Sequence, residues 1–172
     1  MKEKLIGALT MNADTYAALK VDEKATMQAL LVVIVSAICS AIGGGLLASS
    51  IPVGFGSILV WAVVSWLLWA GAIYVIGVKG FKGDATMSQI MRVLGFAYAP
   101  AAFNIFSFTP LMGIIIQFLV ACWLVVSFYF ATQNVLGLSE GSKAFVTVLA
   151  GWFIYLIGLG VVMNFLGALA GL

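Results

Sequence analysis

The chain is poor in the residues that most chemistry needs. Among 172 residues there is no histidine, and charged side chains make up only 8%. The absence of histidine removes the commonest metal ligand, the commonest general base and any Ser-His or Cys-His nucleophile. The scarcity of charge excludes a water-soluble globule, since an ordinary soluble domain carries about 25% charged residues. Cysteine is limited to Cys39 and Cys122, both in apolar runs and without CxxC spacing. They read as small buried hydrophobes rather than as a redox or metal pair. Proline occurs three times, and Pro52 and Pro110 stand where the chain has to turn.

What remains is apolar. Hydrophobic residues make up 64%, and the mean hydropathy is +1.20. No charge lies between Ala25 and Val78, or between Arg92 and Glu140. Each run is too long for one membrane helix and suits two, because one span takes about 20 apolar residues. Turn signals divide them at Ser49–Gly54 and at Ser107–Pro110. The reading is an all-α integral membrane bundle of five transmembrane helices, at about 26–48, 55–78, 85–106, 111–132 and 144–166.

Residues 1–24 form a separate cytoplasmic N-terminal segment, with room for a short interfacial helix capped by Asn12 or Asp14. Asn12 and Asp14 also interrupt the first apolar stretch before a signal-peptide core can form. Asp84 reads as the cap of a helix beginning at Ala85. Pro100 should kink the third span. A second reading of 85–106 is an interfacial helix to residue 96 followed by a short, broken membrane segment.

All eight Lys and Arg fall in the tail, in the stretch from Lys79 to Arg92, or at Lys143. With five spans these lie on one side, which the positive-inside rule places in the cytoplasm. The N-terminus is then inside and the C-terminus outside.

Candidate sites are few. Ser36, Ser40, Gly44 and Ala48 recur every four residues and make a helix-packing seam, against another span or a second copy. Asn104, Gln117 and Asn164 fall in one leaflet, and an amide in hydrocarbon seeks a partner. Asn104 and Gln117 are expected to face the bundle interior, with Asn164 near its outer mouth. They serve either as interhelical contacts or as the lining of a polar pocket. No carboxylate lies inside a span, and no phosphate-loop, nucleophile-elbow or metal-ligand spacing is present. No catalytic, cofactor-binding or metal site is expected, no basic run with interleaved aromatics suggests nucleic acid, and the protein is read as a non-enzyme.

Gly95, Tyr98 and Pro100 in the run GFAYAP, then Pro110 and Gly113, the span around Trp123, and Gly137-Leu138-Ser139 ahead of Lys143-Ala144 form one pattern. Over Arg92–Ala144 the chain thereby resembles the Yip domain family, the Ypt-interacting membrane proteins and their prokaryotic relatives. The resemblance implies five spans with the N-terminus in the cytoplasm. For eukaryotic members it implies Rab-type GTPases, vesicle traffic and hetero-oligomers with sister proteins. The family's Asp-Leu-Tyr-Gly-Pro motif is absent ahead of the first span, and Gln133 and Asn134 stand where the family often has an Arg-Glu pair. With so short a tail, a GTPase partner is not expected. A prokaryotic-type member in the plasma membrane is. The functional expectation is a membrane scaffold, organising or shaping protein working through helix contacts with lipids, a second copy or other membrane proteins. The alternative is a small transporter or channel for a solute or lipid.

Overall fold

The computed structural model describes residues 1–43 and 55–170. Among the described residues every regular element is helical. Two short helices, α1 (Lys2–Leu9) and α2 (Ala13–Val21), precede α3 (Ala25–Gly43). Helix α4 (Phe55–Ile73) continues as a π-helical stretch over Tyr74–Gly80. Helix α5 (Met87–Ala97) passes into a 3₁₀ stretch, Ala99–Phe106, followed by α6 (Pro110–Leu136) and α7 (Gly141–Ala170).

Among the described residues four helices are long and apolar enough to cross a membrane: Ala25–Gly43, Leu59–Gly80, Leu111–Leu136 and Gly141–Gly158. The expected third span is not a continuous helix. Pro100 has no N–H to give the Phe96 carbonyl, and the chain tightens at that point. Tyr98 N–H still reaches the Leu94 carbonyl at 3.1 Å, four residues back, but Ala101 N–H bonds the Tyr98 carbonyl at 3.0 Å, three back. The backbone is therefore an α-helix followed by a 3₁₀ stretch rather than one kinked α-helix. The 3₁₀ form has a consequence for reach. Eleven α residues and eight 3₁₀ residues rise about 16 Å each, at about 1.5 and 2.0 Å per residue.

This compound segment runs antiparallel to α6. At one end Asp84 N–H donates to the Leu136 carbonyl at 3.0 Å, and at the other the Ser107–Thr109 turn leads directly into Pro110. The start of α5 also differs from expectation. Thr86, not Asp84, is the cap: Gln89 N–H donates to Thr86 Oγ1 at 3.3 Å and Thr86 N–H donates to Gln89 Oε1 at 2.8 Å. The reciprocal pair satisfies two donors at the helix start, which a lone Asp84 would not.

The N-terminal segment is a helical hairpin docked on α5 and α6. Asn12 caps α2 by accepting from Thr15 N–H at 3.0 Å. Ala8, Tyr16 and Leu19 have no exposed surface, and the Tyr16 hydroxyl donates to the Ala8 carbonyl at 3.0 Å. Trp123 Nε1 donates to the Leu9 carbonyl at 3.1 Å. Trp123 lies midway along α6, so the hairpin tip sits opposite the middle of that helix. Lys4 pairs with Asp22 across the hairpin's open end.

Lipid gives helices no hydrophobic reason to associate, so close backbone approach matters more here than in water. Gly95 shows the approach. A Cβ there would stand 2.7 Å from Ala29 Cβ and 3.2 Å from the Ala29 carbonyl oxygen, so α5 and α3 touch backbone to backbone. Trp66 and Trp69, which the sequence places near mid-membrane, are both buried, and Trp66 Nε1 donates to the Met91 carbonyl at 3.2 Å.

Candidate functional site

Asn104 and Gln117 meet, and Asn164 does not join them. A groove of about 360 Å³ lies between α3, the 3₁₀ stretch and α6, lined by Ser40, Asn104, Gln117, Val120, Ala121 and Leu124. Ser40 is fixed at its base, donating to the Ala101 carbonyl at 3.0 Å and accepting from Asn104 Nδ2 at 3.2 Å. These bonds orient the Asn104 carboxamide and leave its Oδ1 buried without a partner among the described residues. Gln117 is exposed on the α6 wall rather than facing the bundle interior. The cause is the sparse cover over the first turns of α6: Leu111, Ile114 and Phe118 are likewise exposed. Asn164 is exposed too, and its Nδ2 donates at 2.8 Å to Gly160 on its own helix.

The seam residues split. Ser36 is buried and Ser40 engages the 3₁₀ stretch of the same chain, while Gly44 and Ala48 lie outside the described residues. Gly43 belongs to the same contact: a Cβ there would collide with the Asn104 carbonyl oxygen, so only glycine allows α3 to lie against the 3₁₀ backbone.

The motif residues have separate structural places. Tyr98 ends α5 and stacks on Phe128, ring centroids 6.3 Å apart. Phe128 meets Trp69 at 5.3 Å, and Trp69 meets Tyr155 edge-on at 5.6 Å. One aromatic junction thus joins α4, α5, α6 and α7. Pro100 is buried in the first turn of the 3₁₀ stretch. Pro110 opens α6 after Thr109. Gly113 is buried over the Ser107 carbonyl, and its N–H donates to the Thr109 carbonyl at 2.6 Å. Gly137 closes α6 in the left-handed conformation, φ 64°.

The Yip1 domain family model matches residues 6–162. The chain belongs to the Yip1 domain family. That match takes in the hairpin from Ile6 onward, the aromatic junction and the groove, so these are parts of one Yip1 domain. No curated protein and no solved structure matches the chain. As a Yip1-domain chain with four helices long and apolar enough to cross a membrane, it is a multi-pass membrane protein.

Sequence reasoning passed over three features of this Yip1 domain. The Thr86-x-x-Gln89 spacing was a readable capping box. Ser127 is buried, its hydroxyl without a partner among the described residues, one residue from the aromatic junction. No local signal marks it, because a serine in an apolar helix has the same neighbours whichever way it faces. Trp123 bonding Leu9 joins residues 114 apart in sequence, and no pattern within either segment encodes that pairing. Among the described residues no three metal-ligating side chains come together.

Proposed function

We propose that this Yip1-domain protein is a non-enzymatic membrane scaffold that shapes the bilayer. One observation carries the reading: the N-terminal hairpin is built into the bundle at one end only. Its open end holds the Lys4–Asp22 pair, its tip reaches the middle of α6, and Ala8, Tyr16 and Leu19 are sealed in the contact. Two helices are thereby added to the cross-section of one half of the molecule. A body wider in one leaflet than in the other favours membrane curved toward the wider side.

The charged segments gather at that same end. Lys20 Nζ reaches the Asp84 carbonyl at 2.6 Å, and the Lys143–Glu140 pair follows α6 there. We place this end in the cytoplasm by the positive-inside rule. The α5–3₁₀ segment then acts as a fifth, broken crossing, which puts the C-terminus outside. Its summed rise of about 32 Å matches a hydrocarbon core of about 30 Å. The setting of this reading is a prokaryotic plasma membrane, and lateral contacts with a second copy or another membrane protein are the mode of action. A GTPase partner forms no part of this reading.

The test is curvature preference in reconstituted vesicles. Tethers pulled from giant vesicles with the charged end outside should enrich the protein relative to the flat membrane. A Tyr16→Ser, Leu19→Ser variant, with the hairpin undocked, should lose the enrichment. Equal density of the wild-type protein on tether and vesicle would remove the shaping role.

The groove favours a second reading, binding or transport of a small lipid or solute. Its support is that Asn104 and the exposed Gln117 line one concavity, with Asn104 Oδ1 buried beside it and without a partner among the described residues.

A further inference from the structure

We propose that the Ser40–Asn104–Gln117 groove is a binding site for a neutral lipid bearing a free hydroxyl group. The proposal rests on the second functional reading and names its ligand. Three observations define the chemistry. First, none of the six lining residues is charged, so nothing there compensates a phosphate, carboxylate or ammonium. Second, the polar groups are unevenly satisfied. One Asn104 Nδ2 proton is engaged by Ser40, and the Ser40 proton by Ala101, while Asn104 Oδ1 is an acceptor with no donor among the described residues. A buried, unpaired acceptor is costly, so the group that completes the site must bring an O–H or N–H. Third, the opposite wall is apolar. Val120, Ala121 and Leu124 follow Gln117 along α6 toward the middle of the helix.

Depth narrows the ligand further. Gln117 lies seven residues, about 10 Å, along α6 from Pro110. Helix α6 has 27 residues, about 40 Å, which covers the hydrocarbon core and both headgroup zones. Gln117 is therefore a few ångströms inside the hydrocarbon boundary, where a lipid's backbone hydroxyl resides. In the proposed complex Asn104 Oδ1, sealed from solvent in the free groove, is uncovered as the hydroxyl enters and donates to it, and the hydroxyl accepts from the Gln117 carboxamide. The acyl chain runs past Val120, Ala121 and Leu124 toward the bilayer centre. Gln117 is exposed and unpartnered among the described residues, so it can turn to the ligand without breaking a bond of the fold.

The experiment uses the full chain in nanodiscs with a diazirine-bearing long-chain alcohol, its methyl ether and the corresponding diazirine-bearing long-chain N-methyl amide. Photolabelled peptides are mapped by mass spectrometry. The alcohol should label residues 117–124 about three- to tenfold more than the methyl ether does, the ratio expected for one net hydrogen bond. Gln117→Leu should reduce that excess and Asn164→Leu should leave it unchanged. Both positions are exposed, so neither change threatens the fold. Preferential labelling by the amide, which offers an N–H and no hydroxyl, would overturn the hydroxyl and assign an amide donor. Equal labelling by alcohol and ether would also overturn the proposal, while leaving the groove as an apolar lipid site. Labelling of residues 117–124 no greater than that of the lipid-facing Trp152–Ile157 stretch by every probe would remove both the ligand and the binding reading beneath it.

Discussion

Arg92 Nη1 donates to the backbone carbonyl of Lys20 at 3.2 Å and so ties α5 to the last turn of the N-terminal hairpin. The same guanidinium bonds Thr26 on α3 through Nε at 2.8 Å and Ser88 through Nη2 at 2.9 Å. A charged residue two turns inside a predicted span is thereby a three-way clamp at the polar end of the bundle. Its planar fork reaches three oxygens that a lysine could not serve together.

Replacing Arg92 with Met should detach the hairpin and cost about 2 kcal/mol, the range for hydrogen bonds to a charged group. Arg92→Lys should recover less than half. The check is unfolding of detergent-solubilised protein alongside limited proteolysis, which should cut near Asp22–Lys24 in the variant first. A clamp-free protein as stable and protease-resistant as wild type would show that the hairpin is held by packing alone.

Burial raises the Tyr16 phenol above its ordinary value. The neutral form is therefore favoured in the folded state. Its contribution is fully present below the unfolded pKa of about 10 and is lost as pH rises beyond it. The hairpin should undock above about pH 10, seen as tyrosinate absorbance appearing together with Trp123 fluorescence change. Tyr16→Phe should lose about 0.5–1.5 kcal/mol from the Ala8 bond and show a weaker alkaline transition. An ionisation of Tyr16 that leaves Trp123 fluorescence untouched would contradict the docking geometry.

The sequence and the structure agree where a local pattern decides the outcome. The apolar runs announce the long helices, and Asn12, one of two candidate caps, closes the start of α2. They part where partners far along the chain decide it. Pro100 announces a break, yet whether the break gives a kink or a 3₁₀ stretch depends on α3, whose Gly43 lets the two backbones touch. Asn104 and Gln117 were expected to face the bundle interior, yet Gln117 is exposed on the α6 wall. Asn164 was grouped with them by depth alone, and depth does not fix the side of a helix.

Glycine contacts give a sharp comparison. Gly95→Ala forces Cβ against Ala29 and should cost about 1–3 kcal/mol, as overpacking does. Gly160→Ala meets nothing within 4 Å and should be neutral or mildly stabilising. Thermal unfolding of the two variants in one detergent measures the difference. Equal effects would mean that α3 and α5 are not in close contact.

The capping box predicts a smaller effect of known sign. Thr86→Ala should destabilise by about 1 kcal/mol, and hydrogen exchange should quicken at Met87–Gln89 while α6 is unaffected. Unchanged exchange at Gln89 would show that Thr86 does not cap α5.

The central claim is a one-sided body crossed a fifth time by the broken α5–3₁₀ segment, and accessibility of its two ends tests it most directly. Single cysteines at Lys82, Thr109 and Ser142, in a Cys39→Ser, Cys122→Ser background, are exposed to a membrane-impermeant thiol reagent on intact cells. The account predicts labelling at Thr109 with protection at Lys82 and Ser142 until the cells are opened. Labelling of Lys82 and Thr109 from the same side would contradict it.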